Sequence, residues 1–298
     1  MLLPFIVSLV GVLCGILISV INVYLVLMFR SQRRHQTSEL TQFFYRFHLD
    51  AVIGIATCLY LGHVLTFYVF PEFFESTRLL VLWFGLLTSN LQMARMMYQF
   101  FISCDRVMAA FFPIEYRIYH PIIPIWPFFL FSLSTGLFQD FVFFYCCDFE
   151  IYVPKNCLAL GCVMNKCYKT FWSTYQTVIL STIVLFSFAF CTRLFMWSKS
   201  TRSLTQANRL AILDAVVTFF CQFIPPFCVS IWPEFELFKF SYAGPFNLVG
   251  KLVGNSVESV LMLKLLMRRQ SFQDKVGTTV AVKGFSHVTH SSEHPRIS

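Results

Sequence analysis

Long apolar runs, each about the length of a bilayer crossing and separated by short polar stretches, set the pattern of this chain. A hydrocarbon core about 30 Å thick takes roughly 20 residues of helix. Seven segments meet that length: Pro4–Phe29, Phe43–Phe70, Leu79–Cys104, Ile122–Tyr145, Phe171–Trp197, Leu210–Trp232 and Phe246–Met267. The runs are too long for barrel strands and do not alternate apolar with polar. The pattern predicts an all-α protein, a seven-transmembrane-helix bundle over residues 1–267. The remainder, 268–298, is a polar tail rich in Ser, Thr and His, expected to be largely disordered.

Composition agrees with the pattern. Of 298 residues, 57% are hydrophobic and only 13% charged, against about 25% charged in a soluble domain. The net charge of +8 does not point to nucleic acid, because it comes from loops on one side of the bundle. Thirteen Lys and Arg fall in 30–42, 106–121, 198–209 and 268–298, against five in 71–78, 146–170 and 234–245. The positive-inside rule then places the N-terminus outside and the C-terminus in the cytoplasm. The first run has no positive charge before it and Arg30, Arg33 and Arg34 after it. It also exceeds a signal-peptide core, so an uncleaved helix is expected.

Five of the 11 cysteines, Cys146, Cys147, Cys157, Cys162 and Cys167, lie in one loop on the outer side. Their spacing lacks the paired C-x2-C or Cys/His signature of a zinc site. One or two disulfides stapling the loop, with a cysteine left over, is the reading of choice in an oxidising compartment. No metal is expected.

Ionisable residues inside spans are costly and mark function by default. Here they are Arg46, His48, Asp50, His63, Arg95, Asp140, Arg193, Asp214, Lys251 and Glu258. At about 1.5 Å per residue, Arg95 lies ~16 Å above Arg106 along its helix. That brings it within about a turn of the depth of Asp50 on the preceding span. Lys251, Asn255 and Glu258 share one face of the seventh span. Asp50 and Glu258 are therefore alternative partners for Arg95, in a static ion pair or in a network that rearranges between two states. Asn22 is the one amide in the first span, placed to tie it to the Asp50 region.

Seven spans with Cys104-Asp105-Arg106 at the inner end of the third resemble the rhodopsin-like G-protein-coupled receptors, with Val107 where their motif has Tyr. Asn22 and Asp50 keep that family's helix-one to helix-two step. Asn255-Ser256-Val257-Glu258-Ser259 stands where it has Asn-Pro-x-x-Tyr, and Arg95 stands where it has a small polar residue beside a sodium ion. The helix-three cysteine of its usual disulfide is missing, since no Cys lies between Cys58 and Cys104. RRHQTSELTQFFYRFHLDAV and SCDRVMAAFFPIEYRIYHPII are similar to the nematode serpentine chemoreceptors of the Srg superfamily. These carry Phe-Tyr-Arg at the start of helix two and Arg-x-x-Ala-x-x-x-Pro-x-x-Tyr in the second loop.

The resemblance implies a chemosensory receptor in the plasma membrane of a sensory cell. It would bind an extracellular small molecule and signal to a heterotrimeric G protein. Asp105 and Arg106 would face that partner, with Asp214 as the resting partner of Arg106. Pro225 and Pro226 would form a helix-six hinge. His63, Trp83, Asn90, Asp140, Tyr175, Gln176 and Trp232 are the candidate ligand-lining residues. The rival reading is a secondary transporter using Asp50, Arg95, Lys251 and Glu258. An odd span count without a visible inverted repeat disfavours it. No His-Glu-x-x-His or Gly-x-Ser-x-Gly motif is present, so neither an enzyme nor a cofactor is expected.

Overall fold

A computed structural model describes residues 2–31, 38–120, 122–154, 157–198, 206–225, 227 and 248–267. Among these residues all regular structure is helical. The long helices are α1 (Leu2–Ser31), α2 (Ser38–Val69), α4 (Leu79–Phe111), α6 (Trp126–Phe141) and α8 (Lys166–Ser198). They are joined by α9 (Gln206–Val217) and by α10, over 248–267. Short helices α3 (Pro71–Ser76), α5 (Pro113–Tyr119) and α7 (Leu160–Val163) sit in the connections. α3 and α5 each open on a proline, whose missing N–H costs nothing in a first turn. The tail from 268, Pro226 and Trp232 lie outside the described residues.

Among the described residues, four helices are long and apolar enough to cross a membrane: Leu2–Ser31, Thr41–Val69, Trp126–Cys146 and Lys166–Met196. α4 matches them in length but carries Asn90, Gln92, Arg95 and Gln99. That polar load belongs to its position, because α4 packs on α2, α6, α8 and α9 and so occupies the middle of the bundle. α4 also runs past Cys104 to Phe111, which makes Asp105 and Arg106 part of the rigid helix. The fourth helix begins at Trp126, with Pro127 in its first turn, rather than at Ile122.

α1 shows how sequence spacing becomes packing. Its buried residues Ser8, Gly11, Gly15, Ile18, Asn22, Leu25 and Phe29 repeat at alternating steps of three and four, with Ile21 buried beside Asn22, one stripe down the helix. The other faces expose Leu13, Ile16, Val20 and Leu27, as suits lipid contact. Gly15 meets Gly54 of α2 almost backbone to backbone. A Cβ on Gly54 would lie 2.7 Å from the Gly15 carbonyl oxygen. Small residues at such a crossing let dispersion and polar contacts act where no hydrophobic force operates between helices.

The loop after α6 folds onto one end of the bundle. Disulfides join Cys147 to Cys167 and Cys157 to Cys162, leaving Cys146 free and exposed. Tyr60 of α2 accepts the Leu160 backbone N–H at 2.9 Å. Val153, Cys157, Leu160 and Val163 pack with Leu82, Leu86 and Phe143. The described part of this loop thus packs against α2, α4 and the turn after α6.

Candidate transmission site

At the centre of the bundle, five charged side chains from four helices meet. Arg46 and Asp50 stand one turn apart on α2, Arg95 on α4, Asp214 on α9 and Glu258 on α10, all buried. Arg95 Nε donates to Asp50 Oδ1 at 2.5 Å and its Nη2 to Glu258 Oε2 at 3.0 Å. The choice between Asp50 and Glu258 is thus no choice, because Arg95 takes both. Arg46 Nη1 pairs with Asp214 at 2.6 Å, its Nη2 with Glu258 Oε1, and its Nε lies 3.6 Å from Asp50 Oδ2. Gln99, one turn along from Arg95, donates to Asp214 at 2.9 Å and to Thr218.

Two guanidiniums thereby serve three carboxylates. The planar fork of Arg suits such bridging, since several donors lie in one plane. None of these charges could be left alone in hydrocarbon, and removing one partner of a buried pair costs ~3–5 kcal/mol. Arg46 is the hub that sequence reading had not placed in the site. Two signals pointed to it: its one-turn spacing to Asp50, and its place as the Arg of Phe44-Tyr45-Arg46. α2 begins at Ser38, so Arg46 lies two turns inside the helix and not at its rim.

Other assignments change. Asn22 does not reach Asp50; its Nδ2 donates to Ser259 Oγ at 2.9 Å and to the Ile18 carbonyl, tying α1 to α10. Asp214, expected beside Arg106, is engaged by Arg46 and Gln99. Lys251 shares the α10 face of Glu258 but meets no carboxylate among the described residues. Its Nζ lies 5.3 Å from the centroid of the Trp172 ring. Asn255 accepts a hydrogen bond from Gln222 at 3.0 Å.

Arg106 is held differently. Its Nη2 donates to the neighbouring Asp105 at 2.7 Å. Asp105 also accepts from Tyr116 at 3.0 Å and lies 3.2 Å from His120 Nε2. Tyr116 and His120 stack with centroids 4.3 Å apart. The Arg106–Ala109–Pro113–Tyr116 spacing therefore has a structural meaning: Pro113 starts α5, and one α5 turn later Tyr116 returns to Asp105. Burial alone would raise the Asp105 pKa; His120, Arg106 and Tyr116 together outweigh it and hold the carboxyl below its ordinary value.

A cavity of about 310 Å³ of empty space, openings included, lies among Gln92, Arg95, Met96, Leu180, Gln222, Lys251 and Asn255. None of the described ligand-lining candidates borders it. His63 stacks on Phe74 at 5.2 Å. Trp83 is 45% exposed on the outer face. Asn90 donates to Asp140 at 2.7 Å across α4 and α6. Tyr175 packs with Phe171, and Gln176 donates to Met96 Sδ at 3.9 Å. Gln222 sits in a π-helical turn, Thr218–Phe223, separated from Pro225 by Ile224 alone. Pro225 cannot donate its backbone bond, and its ring crowds the carbonyl one turn back. A widened turn is the local answer, and such turns collect at functional sites.

An all-helical bundle with charge hidden at its centre is a multi-pass membrane protein built for more than anchoring. A family model described as serpentine type 7TM GPCR chemoreceptor Srbc matches residues 1–270. The chain belongs to the Srbc family, a nematode family of seven-transmembrane chemoreceptors. No curated protein matches the chain. Membership defines a receptor and not an enzyme, and agrees with the resemblance to nematode serpentine chemoreceptors, the matching family being Srbc.

Proposed function

We propose that this protein is a G-protein-coupled chemosensory receptor of the plasma membrane. It binds an extracellular small molecule and passes the event to a heterotrimeric G protein. Residues 1–267 form the receptor domain, with the N-terminus outside and 268–298 as a cytoplasmic tail. The excess of Lys and Arg on the loops at the Arg106 end supports this orientation.

The observation that carries the reading is the charge cluster. Arg46, Asp50, Arg95, Asp214 and Glu258 join α2, α4, α9 and α10 by ion pairs. Ligand binding signals only if it favours one of two packings, and buried ion pairs exchange partners in discrete steps. The Thr218–Phe223 turn and Pro225 provide the hinge beside the cluster. Arg106, held by Asp105 in the resting arrangement, is the residue released toward the G protein. The test is a ligand screen for G-protein activation in cells expressing the chain, with epitope tags reporting each terminus. Ligand-dependent activation with an outside N-terminus supports the reading. An outside C-terminus overturns it.

A further inference from the structure

Lys251 is the one described cation of the bundle interior whose charge is met by an aromatic face and by no carboxylate. Its side chain is more than nine-tenths buried and lines the cavity between α4, α8, α10 and the π turn that follows α9. A buried ammonium has three donors to satisfy. The Trp172 face offsets part of its lost hydration but accepts no hydrogen bond in the ordinary sense. Around the same space stand Gln92, Gln222, Asn255 and the Arg95 guanidinium. The Trp172 Nε1 is itself buried without a hydrogen-bond partner.

Two of these groups are cations and the three amides add N–H donors beside their acceptor oxygens, and the enclosed space has room for about one or two waters, the size of one small polar headgroup. We infer that the cavity is the docking site for the carboxylate of a small organic acid, with Lys251 as its counter-ion. This inference rests on the receptor reading and gives its ligand a chemical class.

The position also supplies a coupling. Arg95 lines the cavity and at the same time holds Asp50 and Glu258. An anion arriving beside Lys251 competes with those two carboxylates for the same guanidinium. The ligand thereby weakens the ties between α4, α2 and α10 without touching them. Gln222, on the wall of the cavity, links the same event to the π turn before Pro225.

The experiment uses the full chain purified in lipid nanodiscs, with thermal melting as the readout at constant ionic strength. The probes are hexanoate and benzoate, each against its neutral amide. The expected result is that at least one carboxylate raises the melting temperature of the wild type and its amide does not. Lys251→Arg keeps the effect, and Lys251→Met weakens carboxylate affinity at least tenfold. Gln222→Leu, on another helix, weakens it several-fold and serves if Lys251→Met does not fold. Equal stabilisation by the amides, no stabilisation by either carboxylate, or an effect intact in Lys251→Met or Gln222→Leu overturns the inference. No G protein enters this measurement. Carboxylate binding without coupling to any G protein overturns the receptor reading alone; coupling driven by neutral ligands, without carboxylate binding, overturns this site alone.

Discussion

Arg46 and Arg95 hold the same two carboxylates through different oxygens. Asp50 offers Oδ2 to Arg46 and Oδ1 to Arg95; Glu258 offers Oε1 to Arg46 and Oε2 to Arg95. Each carboxylate keeps one cation if the other is removed, so the arrangement tolerates the loss of Arg95 better than its burial suggests. Asp214 has no such reserve in the ion pairs seen among the described residues, where its guanidinium partner is Arg46.

Arg46→Ala is therefore expected to destabilise the receptor by ~3–5 kcal/mol, the cost of stranding a buried charge. Arg95→Ala should cost less, and Asp50→Asn added to it should restore part of the loss. Melting of purified variants in nanodiscs measures the order. An Arg95→Ala loss larger than that of Arg46→Ala contradicts the shared-carboxylate geometry.

The Asn22–Ser259 hydrogen bond joins the first and last helices. A double-mutant cycle with Asn22→Ala and Ser259→Ala should give a coupling of ~0.6–2 kcal/mol, the range for polar contacts between membrane helices. A coupling near zero shows that the two side chains do not meet.

Tyr116 and His120 steady Asp105, and Asp105 holds Arg106. Tyr116→Phe should loosen this hold and raise ligand-free G-protein activation severalfold at unchanged surface level. Asp105→Asn should raise it further. Basal activity unchanged in both variants contradicts a restraining role for the contact.

The two disulfides differ in the chain they close. Cys147–Cys167 spans 20 residues and Cys157–Cys162 only 5. On the loop-entropy argument the longer closure contributes about 3 kcal/mol and the shorter one less. Surface delivery should fall more in Cys167→Ser than in Cys162→Ser, and Cys146→Ser should match the wild type. Peptide mapping without reduction checks the pairing itself.

What the sequence disclosed follows from physics that acts one residue at a time. Charge inside an apolar run is visible without a structure, and it marked Asp50, Arg95 and Glu258. Apolar length disclosed the helices, and the C-x4-C-x4-C loop its staples. Helix rotation and exact helix starts are different, because they depend on the neighbours. Arg46 was one of ten ionisable residues inside the spans, and only its three carboxylate contacts single it out as the hub. Trp83 looked like a ligand contact until its face of α4 was found to point outward. Lys251 shared a face with Glu258, yet its ammonium lies over the Trp172 ring of α8. Gln99 carries no charge, so nothing in the sequence distinguished it from other amides, although it bridges Arg95 to Asp214.

The central claim is that a buried ion cluster relays ligand binding to Arg106 and from there to a G protein. Ligand-dependent G-protein activation by the wild type and by Arg106→Ala, compared at equal surface expression, tests it most directly. The account predicts that Arg106→Ala reaches the surface normally and no longer activates the G protein. Activation by Arg106→Ala equal to that of the wild type would contradict it.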